Sequence, residues 1–172
     1  MSGIPIWFER KFDFSFPAEL MPNVCARLRG TPARLEDIVG HSDRALLTKK
    51  AGAAWSAQEH AGHLLDLEPL WMGRVEDFLK GRDQLTAADL TNRKTKEANH
   101  NAREPGEILR EFRAARGELM KRLAVLEASL SDRTIPHPRL KTPMRLVDHL
   151  YFVAEHDDHH LAHIWALTGE KQ

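Results

Sequence analysis

Apolar positions along the chain recur mostly three and four residues apart, the spacing of helices, and only rarely two apart. Leu20, Met21, Val24, Cys25 and Leu28 predict a first helix over residues 18–29, stopped at Gly30. Thr31-Pro32, a cap followed by a first-turn proline, predicts a separate short helix to Val39, closed by Gly40. A further turn is expected over residues 43–48. Ser56-Ala-Gln-Glu59 is a capping box with Trp55 at the staple position, so a long helix should start there and run to Lys80, with Gly81 as its stop and a kink near Pro69. Residues 82–104 are polar and read as loop with at most one helical turn. Ile108, Leu109, Phe112, Ala115, Leu119, Leu123 and Leu126 form the inward stripe of a helix from Pro105 to near Ser129. Ile135-Pro-His-Pro138 reads as irregular. Thr142-Pro143 repeats the cap-plus-proline signal and should open a last helix ending at Thr168 before Gly169. One stretch alternates instead: Phe12-Asp-Phe-Ser-Phe16, halted by Pro17, reads as an extended arm laid over a hydrophobic surface.

Four long amphipathic helices with almost no strand signal predict an all-α protein, with a four-helix bundle as the simplest architecture, supplemented by short helices and the N-terminal arm. A chain of 172 residues is the size of one domain, and residues 1–172 are read as one. Lys+Arg and Asp+Glu both number 25, which argues against a general nucleic-acid binder, since such proteins carry an excess of cations. The longest apolar run, residues 150–154, is far too short to span a bilayer, and the first residues lack the pattern of a signal peptide. A single cysteine, Cys25, cannot form an internal disulfide and reads as a small core residue. A cytoplasmic protein with no membrane or nucleic-acid partner is expected. No phosphate-binding glycine loop and no nucleophile-elbow motif is present. The basic stretch 92–97 reads as solvated loop, and Trp55 and Trp71 as core packing.

Ten histidines is a large number for this length, and their placement carries the chemistry. His156 and His160 stand four apart, about 40° around a helix, and His149 and His163 fall within roughly 20° of His156. Leu146, Val153, Ile164 and Leu167 share that stripe, so the last helix turns imidazoles towards the core; His159 lies about 60° off, towards the polar side. On the long helix after Ser56, His60 lies near the centre of the buried face and His63 near its edge. A lone inward histidine is more often a hydrogen-bonded core residue than a ligand. Several on one stripe are costly to satisfy without an ion, and an i, i+4 pair can clasp one metal. A third imidazole from the facing helix leaves a fourth position open, as in catalytic sites. Spacing does not choose between His60 and His63. Asp157, Asp158, Glu155 and Glu59 are candidates to orient the rings.

The motifs Trp55-Ser-x-x-Glu59-x-x-x-His63-Leu64 and His156-Asp-x-His-His160-x-x-His163-Ile164 resemble those of the DinB/YfiT-like superfamily of small four-helix metalloproteins. Glu9-Arg-Lys-Phe-Asp-Phe14, Leu28-Arg-Gly-Thr-Pro-Ala33 and Pro138-Arg-Leu-Lys-Thr-Pro143 carry the likeness across nearly the whole chain. The resemblance implies a bundle with one long crossover, usually dimeric, and a divalent ion, zinc or nickel, held by three histidines. Those are His63, His156 and His160, with His60 at a position that is usually not a ligand. His163 stands where members often carry glutamine, leaving a fourth ligand or a proton relay open. Characterised relatives include transferases and isomerases that use a low-molecular-weight thiol; others are described as metal-dependent hydrolases.

The leading expectation is a metal-dependent thiol S-transferase acting on a small-molecule electrophile, with His163 or His159 moving protons. A metal-dependent hydrolase and a non-catalytic metal- or ligand-binding bundle are the alternatives. Trp7, Phe8, the arm phenylalanines and Trp165 suggest a two-fold homodimer. The competing expectation is that the arm folds back over its own bundle.

Overall fold

The structure, a computed structural model, describes residues 3–126 and 133–169. Four long helices carry it: α1 (Met21–Gly40), α3 (Ala57–Lys80), α5 (Pro105–Ala124) and α6 (Leu146–Thr168). One-turn helices α2 (Arg44–Leu47) and α4 (Arg93–Glu97) lie in the connections. A two-residue antiparallel pairing of β1 (Ile135–Pro136) with β2 (Pro143–Met144) precedes α6. Helix α6 packs between α1 and α3, and α5 packs between the same two from the other side. Two of the three connections, α1 to α3 and α5 to α6, therefore join helices that are diagonal in the bundle, against the one crossover that the resemblance implied.

Three local expectations give way. The two helices expected over residues 18–39 are one, because the backbone defect at Pro32 is repaired from outside. Proline has no N–H to give the carbonyl four residues back, Leu28. The Arg116 guanidinium donates to that Leu28 oxygen instead, at 3.1 Å. Secondly, Pro143 does not open α6 but sits in β2, paired with Pro136; α6 starts at Leu146, where the Asp148 carboxylate accepts the Arg145 backbone N–H at 2.8 Å. Thirdly, the polar connection 82–104 holds α4 and a 3-10 turn, His100–Ala102. The assigned α5 ends at Ala124, and the expected end near Ser129 lies outside the described residues.

A polar layer crosses the middle of the bundle. On α1 Thr31 lies between Leu28 and Leu35, and on α3 Glu68 lies between Leu64 and Trp71. On α5 Arg116 lies between Phe112 and Leu119, and on α6 Asp157 lies between Val153 and Leu161. All twelve are buried. Two hydrophobic clusters flank the layer, one around Trp71, Phe78 and Leu150, the other around Leu35, Phe112 and Ile164. Arg116 joins all four long helices: it reaches Glu68 at 2.6 Å, Asp157 at 2.6 Å and the Leu28 carbonyl, while Thr31 Oγ1 donates to Asp157 at 2.8 Å. Burial raises Glu68 to about 7 despite Arg116 beside it.

The arm lies on its own α6. Phe12 packs on Phe152 with ring centroids 5.1 Å apart, Phe16 packs on Tyr151 at 5.0 Å, and Arg145 donates to the Phe14 and Phe16 carbonyls. Phe8 and Trp165 remain exposed. Among the described residues no helix is long and apolar enough to cross a membrane.

Two contrasts test this packing. A Cβ on Gly62 would fall 2.2 Å from the ring of His100, which is buried, whereas a Cβ on Gly73 of the same helix meets nothing within 4 Å. Gly73→Ala should therefore stabilise by about 0.5–1 kcal/mol, the ordinary helix gain. Gly62→Ala should reverse sign and cost about 1–3 kcal/mol by overpacking. Urea unfolding reads both. In the polar layer, Arg116→Met strands two buried carboxylates and should cost about 3–5 kcal/mol. Glu68→Gln, which removes a charge that burial already disfavours, should cost much less in the same assay.

Candidate metal centre

The capping box fixes where α3 begins, one turn ahead of its histidines. Ser56 Oγ accepts the Glu59 N–H at 3.1 Å, and the Glu59 carboxylate accepts the Ser56 N–H at 2.8 Å. From that start His60 and His63 both point inward and are buried. On α6, His156 and His160 occupy successive turns of the buried face, as the spacing predicts. His63, His156 and His160 each offer a ring nitrogen, and these atoms lie within 4.8 Å of one another. Nε2 of His156 and Nε2 of His160 are 3.1 Å apart. Two nitrogens bound to one tetrahedral ion at ~2.0–2.1 Å stand about 3.3 Å apart, so the pair already has the bite of a chelate.

Hydrogen bonding assigns which nitrogen of His63 is free. Thr95 Oγ1 lies 2.9 Å from Asp66 Oδ2 and 3.0 Å from His63 Nδ1. A carboxylate only accepts, so the single hydroxyl proton goes to Asp66 and Thr95 must accept from His63 Nδ1–H. The lone pair of His63 is then on Nε2. Asp66 is held in turn by His100 Nε2 at 2.8 Å. This His63–Thr95–Asp66–His100 chain is the kind of support that metal-binding imidazoles have. His60 plays a similar part for its neighbour, with Nδ1 at 2.8 Å from His160 Nδ1. With His160 Nε2 free, His160 donates and His60 accepts.

Burial is the leading cause that keeps these rings neutral. It holds His60 at about 3 and His63 at about 4, and pushes His156 and His160 well below the ordinary imidazole value. The donor set is therefore three uncharged imidazoles with lone pairs available, which fits zinc, nickel or a similar divalent ion.

The rings face a cavity of about 440 Å³, walled largely by Trp7, Trp55, Trp71, Leu67 and Phe152. Trp55, expected as core packing, is only half-buried and stands 4.7 Å from His63 between ring centroids. His159 lines the cavity; His163 stacks on His60 with ring centroids 4.8 Å apart and meets His159 edge-to-face at 4.6 Å. Neither is hydrogen-bonded to the three clustered rings. His149, though on the same stripe, is buried between Trp71 and Phe78 away from the cluster.

None of the acids expected to orient the rings does so. Asp157 serves Arg116 and Thr31; Glu155 and Asp158 pair with Arg27, and with Arg10 and Arg34 respectively; Glu59 caps α3 and meets Lys50. Those of α6 fail because they lie on the sides turned towards α1 and α5. The true supports are Asp66, one turn after His63 on the same helix face, and Thr95 in the α3–α5 connection. The first was open to discovery as an i, i+3 pair; nothing in the pattern marks the second.

The neutral imidazoles set a pH dependence. The unfolded chain takes up protons as pH falls through about 6.5, whereas the folded His60 and His63 resist until about 3 and about 4. The unfolded state thus binds more protons in that window, and stability must fall with pH. Glu68 acts with opposite sign between its ordinary value and about 7, but it is one group against several. Urea midpoints of the metal-free protein should therefore drop steadily from pH 7 to pH 4.5; a flat or rising profile would contradict the neutral assignment.

A family model described as the DinB superfamily matches residues 27–164. No curated protein matches the chain. Among solved structures, YfiT from Bacillus subtilis is similar over 92% of this chain and 91% of its own, with a TM-score of 0.76 and 22% identity. That protein is described as a probable metal-dependent hydrolase with an unusual four-helix bundle topology. At this identity the likeness is one of fold. With the family match running from α1 almost to the end of α6, the chain belongs to the DinB superfamily.

Proposed function

We propose that the protein is a divalent-metal-dependent enzyme of the hydrolase type, acting on a small molecule bound in the aromatic cavity. His63, His156 and His160 would hold the ion. The observation that carries the reading is the convergence of three buried, neutral imidazoles on the wall of a cavity large enough for a small molecule. When bound, the ion supplies Lewis acidity and lowers the pKa of a coordinated water or thiol. The chain's own residues do the rest. Thr95 and Asp66 hold the His63 ring in its tautomer, and His60 does the same for His160. Trp7, Trp55 and Trp71 exclude water and offer flat apolar surface to a substrate. Of the two imidazoles expected to move protons, His159 has the stronger support, because it lines the cavity and its lone pair is kept free by burial and by His163.

A thiol-dependent transferase is the second reading. The same ion would take a low-molecular-weight thiol in place of water, and a volume of about 440 Å³ leaves room for a further reactant beside it. Zinc- and nickel-loaded protein incubated with ester, amide and phosphoester panels, and with thiols plus electrophiles, separates the two. Turnover without thiol supports the hydrolase.

Protein purified without chelator should contain one divalent ion per chain by elemental analysis. Stripping it should lower the melting temperature, since an ion bound only to the folded state adds about 2.7 kcal/mol at a hundredfold excess over its dissociation constant. His63→Ala should lose the metal. His60→Ala should keep it with affinity weakened about 10–100-fold, the usual cost of removing a group that orients a ligand. No metal and an unchanged melting curve would sink the proposal.

A further inference from the structure

A second group of polar side chains lines the same cavity and takes no part in the histidine cluster. Arg74 on α3 is 1% exposed. Its Nε donates to the Thr86 carbonyl at 2.8 Å, and its Nη1 lies 3.1 Å from His137 Nε2. His137, buried in the turn between β1 and β2, accepts at Nδ1 from the backbone N–H groups of Arg139 and Leu140 at 3.2 and 3.1 Å. A neutral imidazole that accepts at Nδ1 carries its proton on Nε2. Arg74 Nη1 and His137 Nε2 are then two donors facing each other with no acceptor between them. Arg139 adds a third: its Nη2 is buried with no hydrogen-bond partner, and its guanidinium lies over Phe8 and Phe152, 5.3 and 5.7 Å from the ring centroids.

No carboxylate answers these donors. Among the described residues the one acid lining the cavity is Asp89, whose carboxylate is taken up by Thr91 and by the Arg93 N–H. The nearby Asp77 carboxylate accepts the Thr86 N–H. Burial, with Arg139 nearby, lowers Arg74 to about 10 despite Asp77, so the group is held at an energetic disadvantage that an anion would relieve. Buried donors without acceptors are rare in folded proteins and call for a partner.

We propose that Arg74, Arg139 and His137 form an anion-binding subsite that takes the carboxylate of a small acid with an apolar or aromatic body. That body would lie against Trp71 and Trp7, which connect the subsite to the histidine cluster. The Trp71 ring is 5.4 Å from the Arg74 guanidinium and 5.5 Å from the His156 ring, and the Trp7 ring is 6.0 Å from Arg139 and 5.1 Å from His156. One indole therefore separates the anion from the group presented to the metal. This names a substrate class for the proposed enzyme and rests on that reading for its catalytic meaning, but the binding itself does not need the ion.

The test uses the full chain stripped of metal, with intrinsic fluorescence of the cavity tryptophans as readout. The probes are 4-phenylbutyrate, its primary amide, and the phosphonate of the same body. The carboxylate should bind saturably. The amide should bind about 10–100-fold more weakly, the worth of a charge-assisted hydrogen bond or two. Arg139→Met, at a half-buried position whose side chain makes no hydrogen bond, should fold with an unchanged circular-dichroism spectrum and lose the preference for the acid; Arg139→Lys should keep part of it. A preference for the phosphonate over the carboxylate would overturn the assigned ligand class. Equal binding of acid and amide, no saturable binding at millimolar concentration, or full discrimination in Arg139→Met would overturn the subsite. If elemental analysis finds no metal while the acid still binds, the metal reading fails and the subsite stands.

Discussion

The bundle is organised around one buried guanidinium. Arg116 is almost wholly out of water, yet it touches α1, α3 and α6 from α5. Taking such a charge from water is expensive, and a pair of carboxylates repays this only with good geometry. Apolar side chains at this level could hold four helices together as well or better. A planar donor with fixed directions adds a preference that they lack, for one rotational setting of each neighbour. Asp157 follows His156 in sequence, and Glu68 lies little more than a turn beyond His63. The contact that locks these two acids therefore also sets the phase at which α3 and α6 turn their imidazoles towards each other. The same guanidinium caps the carbonyl that Pro32 leaves empty, so α1 passes unbroken through a sequence that locally favours two helices.

The histidine cluster is polar matter placed off-centre beside that layer. Several imidazoles buried on one stripe lower stability whenever protons are abundant, and they hold apart what could have been a continuous hydrophobic core. His156 Nδ1 is buried without a hydrogen-bond partner, but hydrogen bonds limit this cost at His63 and His160 by fixing their tautomers. They run in one direction, from the ring outward to Thr95 and then Asp66, which leaves the inward nitrogen bare. A site assembled in this way would be pre-organised for the proposed ion.

How far the sequence alone could be read follows the range of the interactions. The capping box at Ser56, the stops at Gly81 and Gly169 and the i, i+4 histidine pair are local, and each appears where the pattern puts it. The break expected at Gly30-Thr31-Pro32 fails because a residue more than eighty positions away supplies the missing hydrogen bond. The acids next to His156 and His160 were natural candidates to orient the rings, but neighbours in sequence on a helix point to different sides. Arg74, His137 and Arg139 come from α3 and from the turn before α6, and only the assembled bundle brings them to one wall. Arg116 is one of four arginines in α5 and nothing local sets it apart, since an arginine in an amphipathic helix ordinarily marks the solvent side.

The connection from α3 to α5 has the composition of a segment that natural variation is free to lengthen or trim. Its contacts say otherwise. Leu85 and Thr86 are hydrogen-bonded to the β1 end and to α3, Thr95 steadies a ring of the histidine cluster, and His100 fills the space that Gly62 leaves open. The segment is thus fastened to the bundle at both ends and in the middle, and a shift of register anywhere along it is felt at the nitrogen of His63. Insertions and deletions that leave the chemistry intact are confined to the short exposed stretches between those fastenings, so that here the length of a surface loop is set by the chemistry of the core.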